Sequence, residues 1–86
     1  MANVVMYSSM MCPFCFRAKA LLKQKGVAYK EINVDMNPKK RAEMRQKSGG
    51  ANSVPQIWIN GDHVGGSDEL HALEARGVLE PMLAAS

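Results

Sequence analysis

The segment Asn3-Val4-Val5-Met6-Tyr7 is almost wholly apolar and short, the pattern of a buried strand. From Pro13 the period changes. Phe14, Ala18, Leu21 and Leu22 fall on one stripe at helical spacing, and Arg17, Lys19, Lys23 and Gln24 take much of the opposite face. Pro13 stands at the favoured first helical position, which makes Cys12 the N-cap, and Gly26 is the expected stop. Val27 to Val34 predicts a second strand, with Ala28, Lys30, Ile32 and Val34 on one side. A strand–helix–strand unit of this length implies a right-handed crossover and parallel pairing.

Asn37-Pro38 repeats the cap-plus-proline device and opens a second helix ending near Ser48-Gly49. Its clearest apolar residues are Ala42 and Met44, so it should lie on the surface. After a Gly/Asn/Ser loop from Gly49 to Ser53, Val54-Pro55-Gln56-Ile57-Trp58-Ile59 predicts a strand. Asn60-Gly61 predicts a tight type I′ hairpin into a strand from Asp62 to Gly65. Ser67 or Asp68 can then cap a third helix carrying Leu70 and Leu73 and ended by Gly77, and Val78, Leu79, Met82 and Leu83 suggest a short last helix. The expectation is an α/β chain, one domain over residues 1–86, with a central four-stranded mixed β-sheet flanked by helices in the order β-α-β-α-β-β-α.

Composition narrows the setting. At 86 residues and 47% apolar, one core can form without a staple. Met1-Ala2-Asn3 lacks the basic start of a signal peptide, and no apolar run approaches the roughly 20 residues that span a bilayer. The two cysteines are three positions apart, and a bridge between them would close too small a loop to stabilise the fold. Such a pair fits redox chemistry in a reducing, cytoplasmic compartment. His63 and His71 fall in no familiar ligand spacing, so no zinc site is expected.

The net charge of +3 divides unevenly: residues 1–47 hold ten Lys/Arg and three acids (+7), and residues 48–86 hold one Arg and five acids (−4). The plain account is two solvated faces. The functional one is a positive field near the cysteines that favours thiolate and draws anionic substrates. Basic residues not interleaved with aromatics, and the lack of any nucleic-acid motif, argue against nucleic acid. Neither a membrane nor an oligomer is called for.

The chemistry rests on Cys12-Pro13-Phe14-Cys15. The first turn of a helix leaves amides unpaired at the positive end of the helix dipole. A sulfur at the N-cap should face the amides of Phe14 and Cys15 and be stabilised as thiolate. Cys15, one turn further in, is placed to attack a mixed disulfide formed on Cys12. Cys12 is therefore the expected nucleophile and Cys15 the resolving thiol. The bland alternative is a pair of core cysteines or half of a metal site.

Cys12-Pro13-Phe14-Cys15, Ser53-Val54-Pro55 and Gly65-Gly66-Ser67-Asp68, in this order and nearly this spacing, resemble a dithiol glutaredoxin of the small bacterial CPYC type over almost the whole chain. The resemblance implies a thioredoxin-like fold and reduction of protein disulfides and glutathione mixed disulfides, with glutathione as co-substrate and no permanently bound cofactor. It further implies that Pro55 is a cis-proline facing the active site and that Val54 offers its backbone to extended glutathione. Ser67 and Asp68 would receive the γ-glutamyl end, Arg41 the glycine carboxylate, and Pro13, Phe14 and Ser53 would complete the glutathione-binding set. Read without the family, Arg41 is a solvated charge and Asp68 a helix cap. The resemblance also implies disulfide-bonded or glutathionylated proteins as partners, with ribonucleotide reductase a family-level candidate only.

The chain also departs from the family's pattern. Ser9 stands where lysine is common, Phe14 replaces tyrosine, Ser53 replaces threonine, and the loop before Ser53 is a residue longer. Loss of that lysine predicts a weaker thiolate and weaker glutathione binding. Met10 and Met11 are expected to pack against Phe14 or Phe16, the other reading being a soft apolar rim for protein substrates. Trp58 is expected to serve strand packing. Two competing functions are a glutathione-ligated iron–sulfur cluster binding module, against which Pro13 argues, and a thioredoxin-reductase-dependent redoxin.

Overall fold

The computed structural model describes residues 2–85. Eight elements follow one another: β1 (Val4–Ser8), α1 (Pro13–Gln24), β2 (Lys30–Asn33), α2 (Pro38–Lys47), β3 (Gln56–Ile59), β4 (Asp62–Gly65), α3 (Ser67–Ala75) and α4 (Leu79–Ala84). The strands form one sheet in the order β2-β1-β3-β4. β1 pairs parallel with β2, and the β1–β3 and β3–β4 pairs are antiparallel.

Alternation along the two central strands divides the core. Val4 and Met6 of β1 and Ile57 and Ile59 of β3 face one side, where Ala18, Leu21 and Leu22 of α1, Leu70 of α3 and Leu79 and Leu83 of α4 cover them. Tyr7 and Trp58 face the other side with Val34 and Met44, and Met44 is the one buried residue of α2. Tyr7 and Trp58 meet edge to face at 5.3 Å, and His63 stacks on Trp58 at 4.6 Å, so Trp58 does serve packing. Ala42, expected among the apolar contacts of α2, is exposed.

Three expectations are corrected. β2 covers four residues rather than the eight from Val27 to Val34, because it is an edge strand paired only with β1; Val27 and Tyr29 pack on the larger core instead. β3 begins at Gln56, leaving Val54-Pro55 as irregular backbone in front of it. Gly66, not Ser67 or Asp68, is the N-cap of α3. The Glu69 carboxylate reaches back 2.6 Å to accept from the Gly66 N–H, which sets the start of the helix. The Asn60-Gly61 turn is as expected, with φ of 53° and 86°.

Candidate active site

β1 ends at Ser8, and Ser9-Met10-Met11 carries the chain to Cys12, the N-cap of α1. The extended backbone of Cys12 (φ −121°, ψ 107°) lets its sulfur turn back over the first turn, where the Cys15 N–H donates to Cys12 Sγ at 3.1 Å. Of the two amides expected at the sulfur, Cys15 supplies the donor. Cys12 Sγ in turn donates to the carbonyl of Val54 at 3.6 Å. Both thiols are free, Cys12 8% exposed and Cys15 fully buried. Burial, followed by the neighbouring Cys12, pushes the Cys15 thiol up to about 12. The two sulfurs therefore occupy different environments: one on a helix N-terminus in a residue that keeps a small opening to solvent, one fully enclosed.

The Val54-Pro55 peptide bond is cis, as the resemblance implied. Pro55 is buried, and its carbonyl lies 3.3 Å from where a Cβ on Gly66 would stand, so Gly66 lets the start of α3 approach the proline loop. The Cys12, Val54-Pro55 and Gly66-Ser67 segments thus adjoin at one end of the sheet. Ser67 is buried, with its carbonyl and hydroxyl oxygens 2.8 Å and 3.4 Å from His71 Nδ1. Asp68 is exposed in the first turn of α3. Ser53 is exposed, and its carbonyl accepts from Gln56 Nε2 at 3.0 Å. Pro13 is exposed at the first position of α1.

Arg41 reaches the same loop through its base: Nη1 donates to the carbonyl of Asn52 at 2.8 Å, and Arg45 Nη1 donates to Asn52 Oδ1 at 3.1 Å. α2 thereby braces the segment leading into Ser53-Val54-Pro55. Arg41 is half-buried and bonded rather than a free solvated charge.

Met10 and Met11 do not pack against the phenylalanines. They are 70% and 90% exposed, and Phe14 and Phe16 are also open to solvent, so four large apolar side chains close to Cys12 in sequence face water. The loop is held from below instead. Asp35, just after β2, accepts from the Ser9 hydroxyl at 2.6 Å and the Met10 N–H at 2.9 Å. These bonds, that from Met10 first, hold the Asp35 carboxyl below its usual range. Asp35 was not singled out from sequence. The available signal was Asn33-Val34-Asp35, where Asn33 Oδ1 accepts the Asp35 N–H at 2.7 Å in a side-chain turn.

A family model for glutaredoxin matches residues 4–64. The chain is 53% identical to glutaredoxin 3 of Escherichia coli K12 over 83 residues, 96% of this chain and 99% of that one. The structure of a buckwheat glutaredoxin–glutathione complex superposes with a TM-score of 0.87 at 33% identity, covering 95% of this chain and 76% of that one. A solution structure of glutaredoxin from Brucella melitensis gives 0.84 at 48% identity, covering 96% and 89%. The sheet flanked by helices is the thioredoxin-like fold of these neighbours, and the dithiol lies where β1 meets α1. By sequence and by architecture, the chain belongs to the glutaredoxin family of thiol–disulfide oxidoreductases.

Proposed function

We propose that this protein reduces protein disulfides and glutathione mixed disulfides at the expense of glutathione, with Cys12 as nucleophile and Cys15 as resolving thiol. The observation that carries the reading is the asymmetry of the two sulfurs. Cys12 Sγ caps α1, takes an N–H at 3.1 Å and touches the surface, while Cys15 is sealed inside. A Cys12 thiolate attacks one sulfur of a disulfide. The Cys12–substrate S–S bond forms as the old S–S bond breaks, and the displaced sulfur leaves with the electron pair as thiolate. When the bound half is glutathione, a second glutathione attacks its sulfur, glutathione disulfide forms and Cys12 leaves as thiolate. When it is a protein, Cys15 attacks Cys12 Sγ, the protein sulfur leaves as thiolate, and two glutathiones in turn reduce the Cys12–Cys15 bond to the dithiol and glutathione disulfide.

The glutathione-binding set is Pro13, Phe14, Arg41, Ser53, Val54, Pro55, Ser67 and Asp68. Val54 supports this with a backbone that lies outside β3 and beside Cys12 Sγ, where an extended tripeptide joined to that sulfur would run alongside it. The amides at the start of α3, with Asp68 beside them, suit the carboxylate and ammonium of a γ-glutamyl end. Arg41 on its brace suits the opposite carboxylate. The partners are glutathione and disulfide-bonded or glutathionylated proteins, ribonucleotide reductase being a family-level instance. The protein works as a cytoplasmic monomer and holds no permanent cofactor. No described helix is long and apolar enough to cross a membrane.

A coupled assay tests the reading, offering either glutathione with glutathione reductase or thioredoxin reductase as the electron source. Turnover is expected with the first and not the second, and Cys12→Ser should abolish it. Full turnover by that variant, or preference for thioredoxin reductase, would overturn the assignment.

A further inference from the structure

Three successive carbonyls ahead of β3 are each held by a side chain. The Asn52 carbonyl accepts from Arg41 Nη1 at 2.8 Å, that of Ser53 from Gln56 Nε2 at 3.0 Å, and that of Val54 from Cys12 Sγ at 3.6 Å. The middle one matters most for a ligand lying along Val54. The Ser53 C=O and the Val54 N–H belong to one planar trans peptide unit, so they point in opposite directions. Whatever fixes the Ser53 oxygen therefore fixes the direction in which Val54 presents its N–H.

Gln56 is in turn held by His63. Gln56 and Trp58 share a face of β3, and His63 of β4 stands opposite Trp58 in the register. The His63 ring stacks on Trp58 with centroids 4.6 Å apart, and its Nε2 lies 2.7 Å from Gln56 Oε1. The chemistry of the groups settles where the hydrogens are. A carbonyl can only accept, so the amide nitrogen of Gln56 faces Ser53, where it also lies 3.4 Å from the Ser53 hydroxyl. That leaves Oε1 for His63, whose Nε2 must carry the hydrogen. Gln56 is 5% exposed, and turning its amide over would set its oxygen against the Ser53 carbonyl.

We propose that Gln56 and His63 are positioning residues for glutathione. His63, on its Trp58 stack, orients the Gln56 amide, and that amide holds the Ser53–Val54 peptide plane so that the Val54 N–H is presented to an extended ligand joined to Cys12. The inference rests on Val54 belonging to the glutathione-binding set. Both side chains act through the Ser53 carbonyl and not on the reacting sulfur. Their effect is therefore selective: it serves a ligand that runs along the proline loop and not a small group carried on the same disulfide.

The experiment uses the full chain and one peptide carried as two mixed disulfides, one with glutathione and one with mercaptoethanol, which has no backbone to pair. The kcat/KM for each peptide, at fixed glutathione, reads the attack by Cys12. Gln56→Met, close in size but without an amide, should lower kcat/KM for the glutathionylated peptide about three- to tenfold, the worth of one hydrogen bond. The value for the mercaptoethanol peptide should stay at that of the wild type. Gln56→Glu keeps the length and an acceptor for His63 but cannot donate to Ser53, and should be at least as slow on the glutathionylated peptide as Gln56→Met. His63→Phe keeps the stack on Trp58 and loses the donor, so a smaller fall is expected; His63→Gln returns a donor and should recover it. His63 is exposed, and its variants keep the question answerable if a Gln56 variant does not fold.

A ratio between the two peptides that stays at the wild-type value in the Gln56 variants would overturn the proposal. So would a Gln56→Glu variant as fast as the wild type, or a His63→Gln variant no faster than His63→Phe. If the wild type itself handles both peptides alike, the glutathione-binding role of Val54 is what fails.

Discussion

Cys12 Sγ donates to the carbonyl oxygen of Val54 at 3.6 Å, across 42 positions of sequence. The contact exists because β1 and β3 are antiparallel neighbours. The segment leaving β1 and the segment entering β3 therefore emerge at the same end of the sheet, and the thiol meets the proline loop there.

That adjacency separates the two routes of the reaction. Cys15→Ser should retain most of the turnover with a glutathionylated peptide, since glutathione reaches the mixed disulfide on Cys12 from outside. Reduction of an intramolecular protein disulfide should fall on the order of tenfold or more. Rates with the two substrate types, measured side by side, check it; an equal loss on both would contradict the division of roles.

Ser9→Lys should strengthen binding of glutathionylated substrates, but less than a free cation would, because Asp35 already occupies the Ser9 side chain at 2.6 Å. KM for a glutathionylated peptide is expected to fall about two- to fivefold, as for an exposed ion pair. Adding Asp35→Asn should lower it further by freeing the ammonium. Unchanged KM in both variants would show that charge at position 9 does not reach the ligand.

Alkaline pH should destabilise the reduced protein in a way that identifies two groups. The Cys15 thiol rises from the ordinary 9.0 to about 12 through burial. The Tyr7 hydroxyl rises from 10.0 to about 12 through burial and its hydrogen bond to Glu43. Both folded-state values are raised, so their contribution is fully present below the unfolded values and is lost as pH climbs toward about 12. Urea midpoints should therefore fall above about pH 9, and Cys15→Ala should flatten the slope between about pH 9 and about pH 10, where tyrosine is still silent. On the acid side the sign reverses. Asp35 and Glu43 are held low, chiefly by the Met10 N–H and by the Tyr7 hydroxyl, and their contribution is lost as pH falls through those depressed values.

Met44→Ala should cost about 2–5 kcal/mol in urea denaturation. Met44 is fully buried and is the single buried side chain of α2, so the helix should loosen before the sheet does. Because α2 carries Arg41 and Arg45 against Asn52, activity should decline at urea concentrations that leave the signal of Trp58 unchanged.

What could be read from the sequence was what local chemistry decides. Pro13 behind Cys12, Pro38 behind Asn37 and the Asn60-Gly61 pair each specify a backbone conformation within two residues, and each element begins or turns where they stand. The features that escaped depend on partners distant in sequence. β2 is short because it lies at the sheet edge, and the loop that carries the exposed Met10 is tied at its backbone to Asp35, 25 positions away. The start of α3 is set the same way against the local signal: Ser67 and Asp68 have good capping side chains, but Glu69 reaches back to Gly66.

A disulfide exchange between two molecules with two sulfurs each has four ways to begin. With Cys15 fully buried, this protein removes half of them before any encounter, since an incoming disulfide can be met only by Cys12. The same enclosure keeps bulk peroxide from Cys15, because over-oxidation follows thiolate character and access. Damage, like catalysis, then has a single entrance, and while Cys12 is bridged to Cys15 it offers peroxide no thiolate yet can still be reopened by glutathione at Cys12.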